Sequence, residues 1–485
     1  MSYNYSLPEL KSLKNPDQLY LQQIKKLQQS IKAIKSSDRN AYYKNVRFLY
    51  ENFAENYLMP PEFWEGYLST TFYPHPDYNI HILAYHFFHP GDYHWLWKSN
   101  DISQEKIISN PRRKFLEIFK EENEKNGFKK NLDSLIKSLQ YPNCDIDDIW
   151  TLYEFESCTF PSKKIVETYQ KMRNLYSKIK ELEEGNVFEW FSALMEVEDD
   201  EFVIQNVEFR LGKDLTNKLL WKLYIKFWEK RDKKMMLQVY SKYCRIFPGQ
   251  KSIRNEYENE AKKYGTPVSF PWKNPFSFEI CDKNFNFNTY KKPKEQKRFH
   301  HKCVKPIYCY FSPENVINQN FPFRQTMMKY VFDAAKSALK QKFLFSCKYF
   351  FIQNPILLCY KFVIQKVFDE DAKKINFYEN AVTLDPAFLF KANFKKLCIS
   401  TVFNFTVVEN PLALSKFIPK IVKCEAKYVS IGCQKLTVNE LSIIIRNGNV
   451  EDIMLNNVQV CDEINGKELL MEDILKLTPN VRKIR

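Results

Sequence analysis

The chain has 485 residues, 44% of them hydrophobic and 16% aromatic, so it is long enough for several folded domains and unlike a disordered protein. It has ten glycines, no two of them close together, which excludes the glycine loops of nucleotide-binding enzymes and the nucleophile elbow of hydrolases. The net charge of +15 favours an acidic partner, such as RNA or an acidic protein surface.

These absences predict a protein that is not an enzyme, with no catalytic residues and no cofactor. Twelve cysteines are scattered through a chain without an apolar signal segment, so we expect reduced thiols in the nucleus or the cytoplasm. The most apolar stretch, 343–368, is interrupted by Lys348, Asn354, Pro355 and Lys361, which predicts that it does not span a membrane.

In the stretch WKLYIKFWE, Trp221 and Tyr224 are three residues apart on one helix face, and lysines fall between the aromatic rings. A base-stacking platform would expose its rings, whereas rings on one face and charges on the other are ordinary for a packed helix. The pattern therefore predicts a buried helix face.

The same signature begins helices at Trp64 and Trp150, and Trp190 begins another without the tyrosine. Trp190 and Trp221 are 31 residues apart, and a period in the thirties with two helices per unit is typical of a solenoid. The predicted repeat core consists of Trp64, Tyr67, Trp150, Tyr153, Trp190, Trp221 and Tyr224.

A helix of the form W-x-x-Y, paired with one of the form V-x-x-L-Y-E-x-F, resembles the HAT (half-a-TPR) repeat of RNA-processing proteins. Residues 47–68, RFLYENFAENYLMPPEFWEGYL, are most similar to the repeats of the pre-mRNA-processing factor 39 family. This resemblance implies an α-α superhelix, a HAT/TPR-like domain at 1–264. It also implies a nuclear mRNA splicing scaffold that binds ribonucleoprotein components and forms homodimers through its repeats.

Five histidines lie between residues 75 and 94, in HPDYNIHILAYHFFHPGDYHW. They are candidate zinc ligands, but no cysteine joins them and the HExxH pattern is absent. Their aromatic neighbours favour the half-buried edge of a helix pair, so we expect no metal site.

Residues 265–315 have neither a helical nor a strand period, which predicts a linker rich in proline and aromatic residues. The run KKPKEQKRFHHKCVK within it has seven basic residues and one acidic residue. It is a candidate RNA contact or nuclear-localisation patch, the alternative being a solvated linker. The patch residues are Lys291, Lys292, Lys294, Lys297 and Arg298.

Residues 316–368 predict a helical hairpin with Met327, Met328, Val331 and Phe332 facing inward. Its Phe-Pro start and its SCKYFF tail resemble the F-box-like motif of the large nematode F-box families. The resemblance implies that the hairpin binds a Skp-type adaptor of a cullin-RING ubiquitin ligase; the alternative is an unrelated hairpin. The implied adaptor-binding residues are Pro322, Met328, Val331, Leu344 and Phe350.

In residues 369–485, apolar alternation at Val429 and Ile431 is repeated at Ile453 and Leu455, 24 residues later. Between these strands, LTVNELSIII begins with a capping box, and a further strand is indicated at NVRKIR. This alternation predicts an α/β region resembling leucine-rich repeats.

The sequence therefore predicts a mainly α chain in which a helical solenoid precedes an F-box-like hairpin and an α/β leucine-rich-repeat-like region. The first functional hypothesis is a non-enzymatic protein-binding scaffold in pre-mRNA processing. The alternative is an F-box-like substrate receptor of a ubiquitin ligase.

Overall fold

The computed structural model describes residues 7–35, 38–70, 129–264, 276–279, 321–353, 355–366, 375–391, 394, 396–446, 448–463 and 466–484. These residues are rich in helix, and a mixed sheet follows toward the C-terminal end. No helix within the described ranges combines the length and the apolar character needed to cross a membrane.

The helices before residue 265 are α1 (Gln18–Ala33), α2 (Arg39–Ala54), α3 (Pro61–Ser69), α4 (Lys129–Ser138), α5 (Ile146–Glu156), α6 (Lys163–Glu181), α7 (Val187–Met195), α8 (Asp200–Lys213), α9 (Lys218–Glu229), α10 (Lys233–Ile246) and α11 (Lys251–Tyr264). An aspartate or asparagine side chain caps α1, α2 and α7–α10 by accepting backbone N–H bonds of the first turn. The first backbone N–H groups of a helix have no acceptor within the helix. The capping side chains accept hydrogen bonds from these groups and so fix the residue at which each helix begins.

The chain forms two compact units, and the first contains the described residues of Met1–Lys125, Tyr141–Asn143 and Lys171–Arg298. Helices α1–α3 and α7–α11 share one continuous apolar core. Helix α10 is buried on almost every side.

The predicted linker is packed where the structure describes it. Residues Phe276–Glu279 lie against the core of the first unit, and the Glu279 side chain is fully buried. Its carboxylate accepts hydrogen bonds from Ser241 Oγ at 2.7 Å, Arg245 Nη2 at 2.9 Å and Tyr257 OH at 3.0 Å. One carboxylate therefore joins these four residues of the predicted linker to α10 and α11.

The predicted domain 1–264 is interrupted, because α4 and α5 belong to the second compact unit. The buried Tyr153 lies in that unit and not in the core of the first one. Trp150 was expected in the repeat core, yet it is half-buried and stacks on Tyr169 with ring centroids 4.4 Å apart. The buried Glu154 explains the placement of α5, since its hydrogen-bond partners come from the sheet that follows.

After residue 320 the elements are α12 (Gln325–Ala334), α13 (Ser337–Ser346), α14 (Lys348–Gln353), β1 (Leu357–Ile364), β2 (Ile375–Tyr378), β3 (Ala381–Leu384), β4 (Leu397–Thr406), α15 (Ala413–Phe417), β5 (Ile421–Cys424), β6 (Tyr428–Gly432), β7 (Lys435–Thr437), α16 (Val438–Ile445), β8 (Asp452–Asn456), β9 (Gln459–Cys461), α17 (Met471–Leu477) and β10 (Lys483–Ile484). The predicted two-helix hairpin is thus three helices, because the chain is extended at Cys347. The sheet also begins at Leu357, before the predicted boundary at residue 368.

The main sheet has the strand order β10-β8-β6-β4-β1-β3-β2, and β5 also pairs with β4. All its pairs are parallel except β2 with β3. Val429 lies opposite Ile453 and Ile431 opposite Leu455, which confirms the pairing of the two strands 24 residues apart. The capping box at the start of α16 is also confirmed, and a short terminal strand, β10, pairs with β8.

One face of the sheet packs against α15 and α16 to form the core of the second unit. Alternation places Phe403 and Val429 on that face. It places Val402 and Tyr428 on the opposite face, which we call the outer face together with Tyr360 and Lys361. All four outer-face residues are buried.

Candidate protein-binding site

Helices α12–α14 pack around a small aromatic core. Phe350 lies 4.8 Å from Phe343, 5.8 Å from Phe321 and 5.9 Å from Phe332, measured between ring centroids. Tilted and stacked contacts of this kind add to the free energy of apolar burial. The cluster fixes which sides of the three short helices point inward.

A polar contact holds α13 against the sheet. Ser337 Oγ, at the start of α13, donates a hydrogen bond to the Glu425 carboxylate, which also accepts from Lys423. Burial by itself raises the pKa of Glu425, but the hydrogen bonds from Lys423 and Ser337 outweigh it and lower the pKa below its ordinary value. Glu425 therefore stays ionised and fixes the position of the three helices on the second unit.

The three helices expose more large apolar side chains than any other described stretch of similar length. On α12, Met327, Tyr330 and Val331 follow the i, i+3, i+4 spacing of one helix face, and Tyr330 is 73% exposed. Exposed apolar side chains concentrated in this way mark interaction sites in soluble proteins. We call the set the apolar surface: Phe323, Met327, Tyr330, Val331, Leu339, Phe345, Phe351 and Ile352.

Basic residues accompany the apolar surface. Residues 321–353 contain six lysines and arginines and one acidic residue, Asp333. Arg324, Lys329, Lys336 and Lys342 are exposed. The rim of the apolar surface is therefore positively charged. A complementary partner would have an apolar groove surrounded by acidic side chains.

The structure separates the predicted adaptor-binding residues into three groups. Phe350 is buried in the aromatic core, whereas Met328 and Leu344 are half-buried. Pro322 and Val331 are exposed. The inward assignment of Val331, and of Met327, is therefore wrong, since the inner face of α12 is formed by Phe332 with Ala335.

The sequence interpretation missed Tyr330 and Phe345, the two most exposed apolar side chains of α12–α14. A signal for Tyr330 was present, because it lies three residues after Met327 on the same helix face. Phe345 gave no such signal, since α13 has apolar residues on several sides.

The core of the first unit contains five of the seven predicted repeat-core residues, and Trp64, Tyr67, Trp190, Trp221 and Tyr224 are all buried. The pair α2–α3 matches the pair α8–α9 position for position, with each residue 157 positions from its counterpart. The matched buried residues are Val46 with Val203, Tyr50 with Val207, Leu58 with Leu215, Phe63 with Leu220, Trp64 with Trp221 and Tyr67 with Tyr224.

The two matched pairs also share a hydrogen bond. Tyr67 OH donates to Glu51 Oε1 at 3.0 Å, and Tyr224 OH donates to Glu208 Oε1 at 2.8 Å. Sequence reasoning did not single out these glutamates, although Glu51 is the glutamate of the V-x-x-L-Y-E-x-F pattern. The bond joins the two helices of each pair, so its recurrence indicates that the same helix pair is built twice.

Two groups of predicted site residues lie outside the described residues. They are the five histidines between residues 75 and 94, and the basic patch formed by Lys291, Lys292, Lys294, Lys297 and Arg298. Across the described ranges, no three histidine, cysteine, aspartate or glutamate side chains are grouped so as to hold a metal ion.

Comparison with protein-family models gives no match to this chain, and comparison with curated proteins gives none either. The two resemblances therefore rest on the quoted residues alone.

Proposed function

We propose that this chain is a non-enzymatic protein-binding protein, and that α12–α14 form an F-box-like surface for a Skp-type adaptor of a cullin-RING ubiquitin ligase. The observation that carries the proposal is the apolar surface. Large apolar side chains left in water are costly to solubility, and covering them with a partner releases that hydration. The exposed arginine and lysines suit an acidic adaptor.

The sheet suits the receptor half of this proposal. Parallel strands at a 24-residue offset, each followed by a return segment, support a leucine-rich-repeat-like arrangement. In such a receptor α12–α14 bind the ligase adaptor, and the sheet region binds the substrate protein.

A double substitution tests the adaptor surface. Met327→Ser with Val331→Ser removes two exposed apolar side chains and leaves the aromatic core unchanged. We expect the purified full chain to bind a purified Skp-type adaptor at about micromolar Kd, and the double variant to bind at least about 10-fold more weakly. Binding is measured by isothermal titration calorimetry.

The matched control is Val408→Ser with Leu412→Ser, which removes two exposed apolar side chains elsewhere in the same unit. This control should bind like the parent. The proposal would be contradicted if the parent chain does not bind the adaptor at about micromolar concentrations. It would also be contradicted if both variants bind the adaptor equally weakly.

The second candidate function is a HAT-type scaffold in nuclear pre-mRNA processing. It is favoured by the matched helix pairs of the first unit, which carry the same Trp-x-x-Tyr packing and the same tyrosine–glutamate hydrogen bond. In this proposal the repeats form a solenoid that binds ribonucleoprotein components and pairs with a second copy, while the basic patch contacts RNA.

Affinity purification of the tagged full chain followed by mass spectrometry separates the two functions. Recovery of a Skp-type adaptor together with a cullin supports the receptor. Recovery of splicing-particle proteins without either supports the scaffold.

A further inference from the structure

Helix α5 lies against the outer face of the sheet, although about 200 residues separate it from β1 in the sequence. Glu154, a residue that is 5% exposed, makes the central contact. Its carboxylate accepts from Lys427 Nζ at 2.7 and 3.0 Å and from Tyr428 OH at 2.8 Å. These donors replace the hydration that the carboxylate loses on burial.

The C-terminal end of α5 is held by its main chain. Tyr360 OH donates to the Glu154 carbonyl at 3.1 Å, and Lys361 Nζ donates to the Phe155 carbonyl at 2.8 Å. These carbonyls belong to the last turn of α5. The carbonyl oxygens of a last turn have no N–H partner within the helix, and this end of the helix carries a partial negative charge. The outer face therefore recognises a helix end by its geometry and charge.

Every one of these contacts has the same polarity. In these four contacts Tyr360, Lys361, Lys427 and Tyr428 supply hydroxyl and ammonium donors, and α5 supplies the acceptors. An exposed ion pair from Lys483 Nζ to Asp148 Oδ1, at 2.9 Å, adds the same sign of charge near the start of α5. The outer face is thus complementary to an acidic helix.

The core on the other face of the sheet is formed without α5. Its continuous apolar cluster begins at Cys359 and contains no residue of α5. The buried apolar residues of α5, such as Ile149, lie outside that cluster. Removal of α5 would uncover Tyr360 and Tyr428, and tyrosine is enriched at the centres of protein interfaces. Helix α5 is therefore bound as a ligand is bound, through polar and aromatic contacts.

We propose that the outer face is a binding site for a partner helix with a carboxylate beside its C-terminal end, and that α5 occupies this site as an internal ligand. A partner helix displaces α5 when it makes the same contacts at sufficient concentration. This inference rests on the proposed receptor function, because it names the class of protein that the sheet unit would take.

The test uses the full chain and a fluorescent peptide of residues 144–160 as the probe. Glu154→Lys places a third positive charge beside Lys427 and Lys361 and should release α5. The variant should bind the peptide about 10- to 100-fold more tightly than the parent, whose site is filled. Fluorescence anisotropy gives both affinities.

Two controls sharpen the comparison. Glu167→Lys, on α6, makes the same charge reversal at an exposed ion pair with Lys163 and should leave the peptide affinity within about 2-fold of the parent. A peptide that itself carries Glu154→Lys should not bind the released site. Folded Glu154→Lys chain that fails to bind the unmodified peptide would overturn the proposal.

A second measurement covers the case in which Glu154→Lys does not fold. In the parent, hydrogen exchange of α5 amides should be faster than exchange of β4 and β6 amides, because α5 leaves without opening the sheet. Exchange of α5 only together with those strands would overturn the proposal. Neither measurement includes the adaptor, so failure of adaptor binding and failure of this inference are seen separately.

Discussion

Two glutamates are buried in the described part of the chain, Glu154 and Glu279, and each accepts several hydrogen bonds. Such a carboxylate favours one packing arrangement over the others, because an arrangement that buries it without hydrogen-bond donors costs free energy. Glu279 joins a four-residue segment to α10 and α11, and Glu154 joins α5 to the sheet. Each therefore places a segment that apolar periodicity does not place.

Replacement of Glu279 by glutamine should destabilise the first unit by about 3–5 kcal/mol, because the buried Arg245 guanidinium loses its counter-charge. Urea unfolding followed by tryptophan fluorescence reports on this unit through Trp64, Trp190 and Trp221. The control Glu258→Gln breaks a more exposed pair with Lys262 and should cost about 0.3–0.5 kcal/mol. Equal losses in the two variants would contradict the role given to Glu279.

The buried thiols provide a prediction about pH. Burial raises the pKa of Cys244, Cys359 and Cys424 to about 12, so at pH 8 only about one molecule in 10⁴ carries a given thiolate. Iodoacetamide at pH 8 should therefore modify the exposed Cys144 well before these three, as peptide mass spectrometry would show. Modification of all four at one rate would contradict the assigned burial.

The same pKa values set a direction for stability. In the unfolded chain these thiols ionise near 9.0, and in the folded chain near 12. Their contribution to stability is thus fully present below pH 9 and is lost as the pH rises from 9 toward 12. Thermal melting temperatures measured between pH 8 and 10 should fall with increasing pH.

At the scale of residues, the sequence predicts side-chain positions correctly where the spacing within one helix decides which residues share a face. The spacing of Trp221 and Tyr224 indicates a shared face, and both residues are buried. Sequence reasoning fails for Val331, because spacing defines two faces of a helix without saying which one meets the core. It does not find Glu279, whose donors come from residues 22 to 38 positions away.

At the scale of elements, the two matched helix pairs contain equivalent tryptophans. Trp64 and Trp221 are both almost fully buried, whereas Trp150 is half-buried on a stacked tyrosine. Substitution by alanine should therefore cost about 3–5 kcal/mol at Trp64 and at Trp221, and clearly less at Trp150. Differential scanning calorimetry of the full chain measures the three losses.

Equal losses at all three positions would contradict the separation of α5 from the core of the first unit. The full chain is required for this comparison, because residues 1–264 do not form one compact unit. Helix α5 carries the same Trp-x-x-Tyr spacing as α3 and α9, so periodicity alone assigns it to the repeats. Its different placement depends on polar contacts with residues 206 to 274 positions later in the chain, which no local pattern contains.

Other elements follow closely from local sequence. Alternating apolar residues and a 24-residue offset predict β6 and β8 with their register, because pairing with a one-residue shift would turn every apolar side chain out of the core. The capping box likewise predicts the start of α16. The third helix, α14, was not predicted. The stretch SCKYFF is too short for its apolar spacing to distinguish a separate helix from the end of the preceding one.

At the scale of the molecule, the chain combines a helical first unit with a sheet-containing second unit, and the proposed functions assign protein binding to both. The basic patch adds a separate prediction. Neutralising Lys291, Lys292, Lys294, Lys297 and Arg298 by glutamine should weaken binding of single-stranded RNA and flatten its dependence on salt. Filter binding at about 50 and 200 mM salt measures both effects. A parent chain whose RNA binding does not change with salt would favour the solvated-linker alternative.

The most direct test of the central claim is hydrogen–deuterium exchange of the full chain with and without a saturating Skp-type adaptor. The receptor account predicts that the adaptor slows exchange in residues 321–353, where the apolar surface lies, and leaves α2, α3, α8 and α9 unchanged. Protection that appears in those four helices while residues 321–353 exchange as before would contradict it.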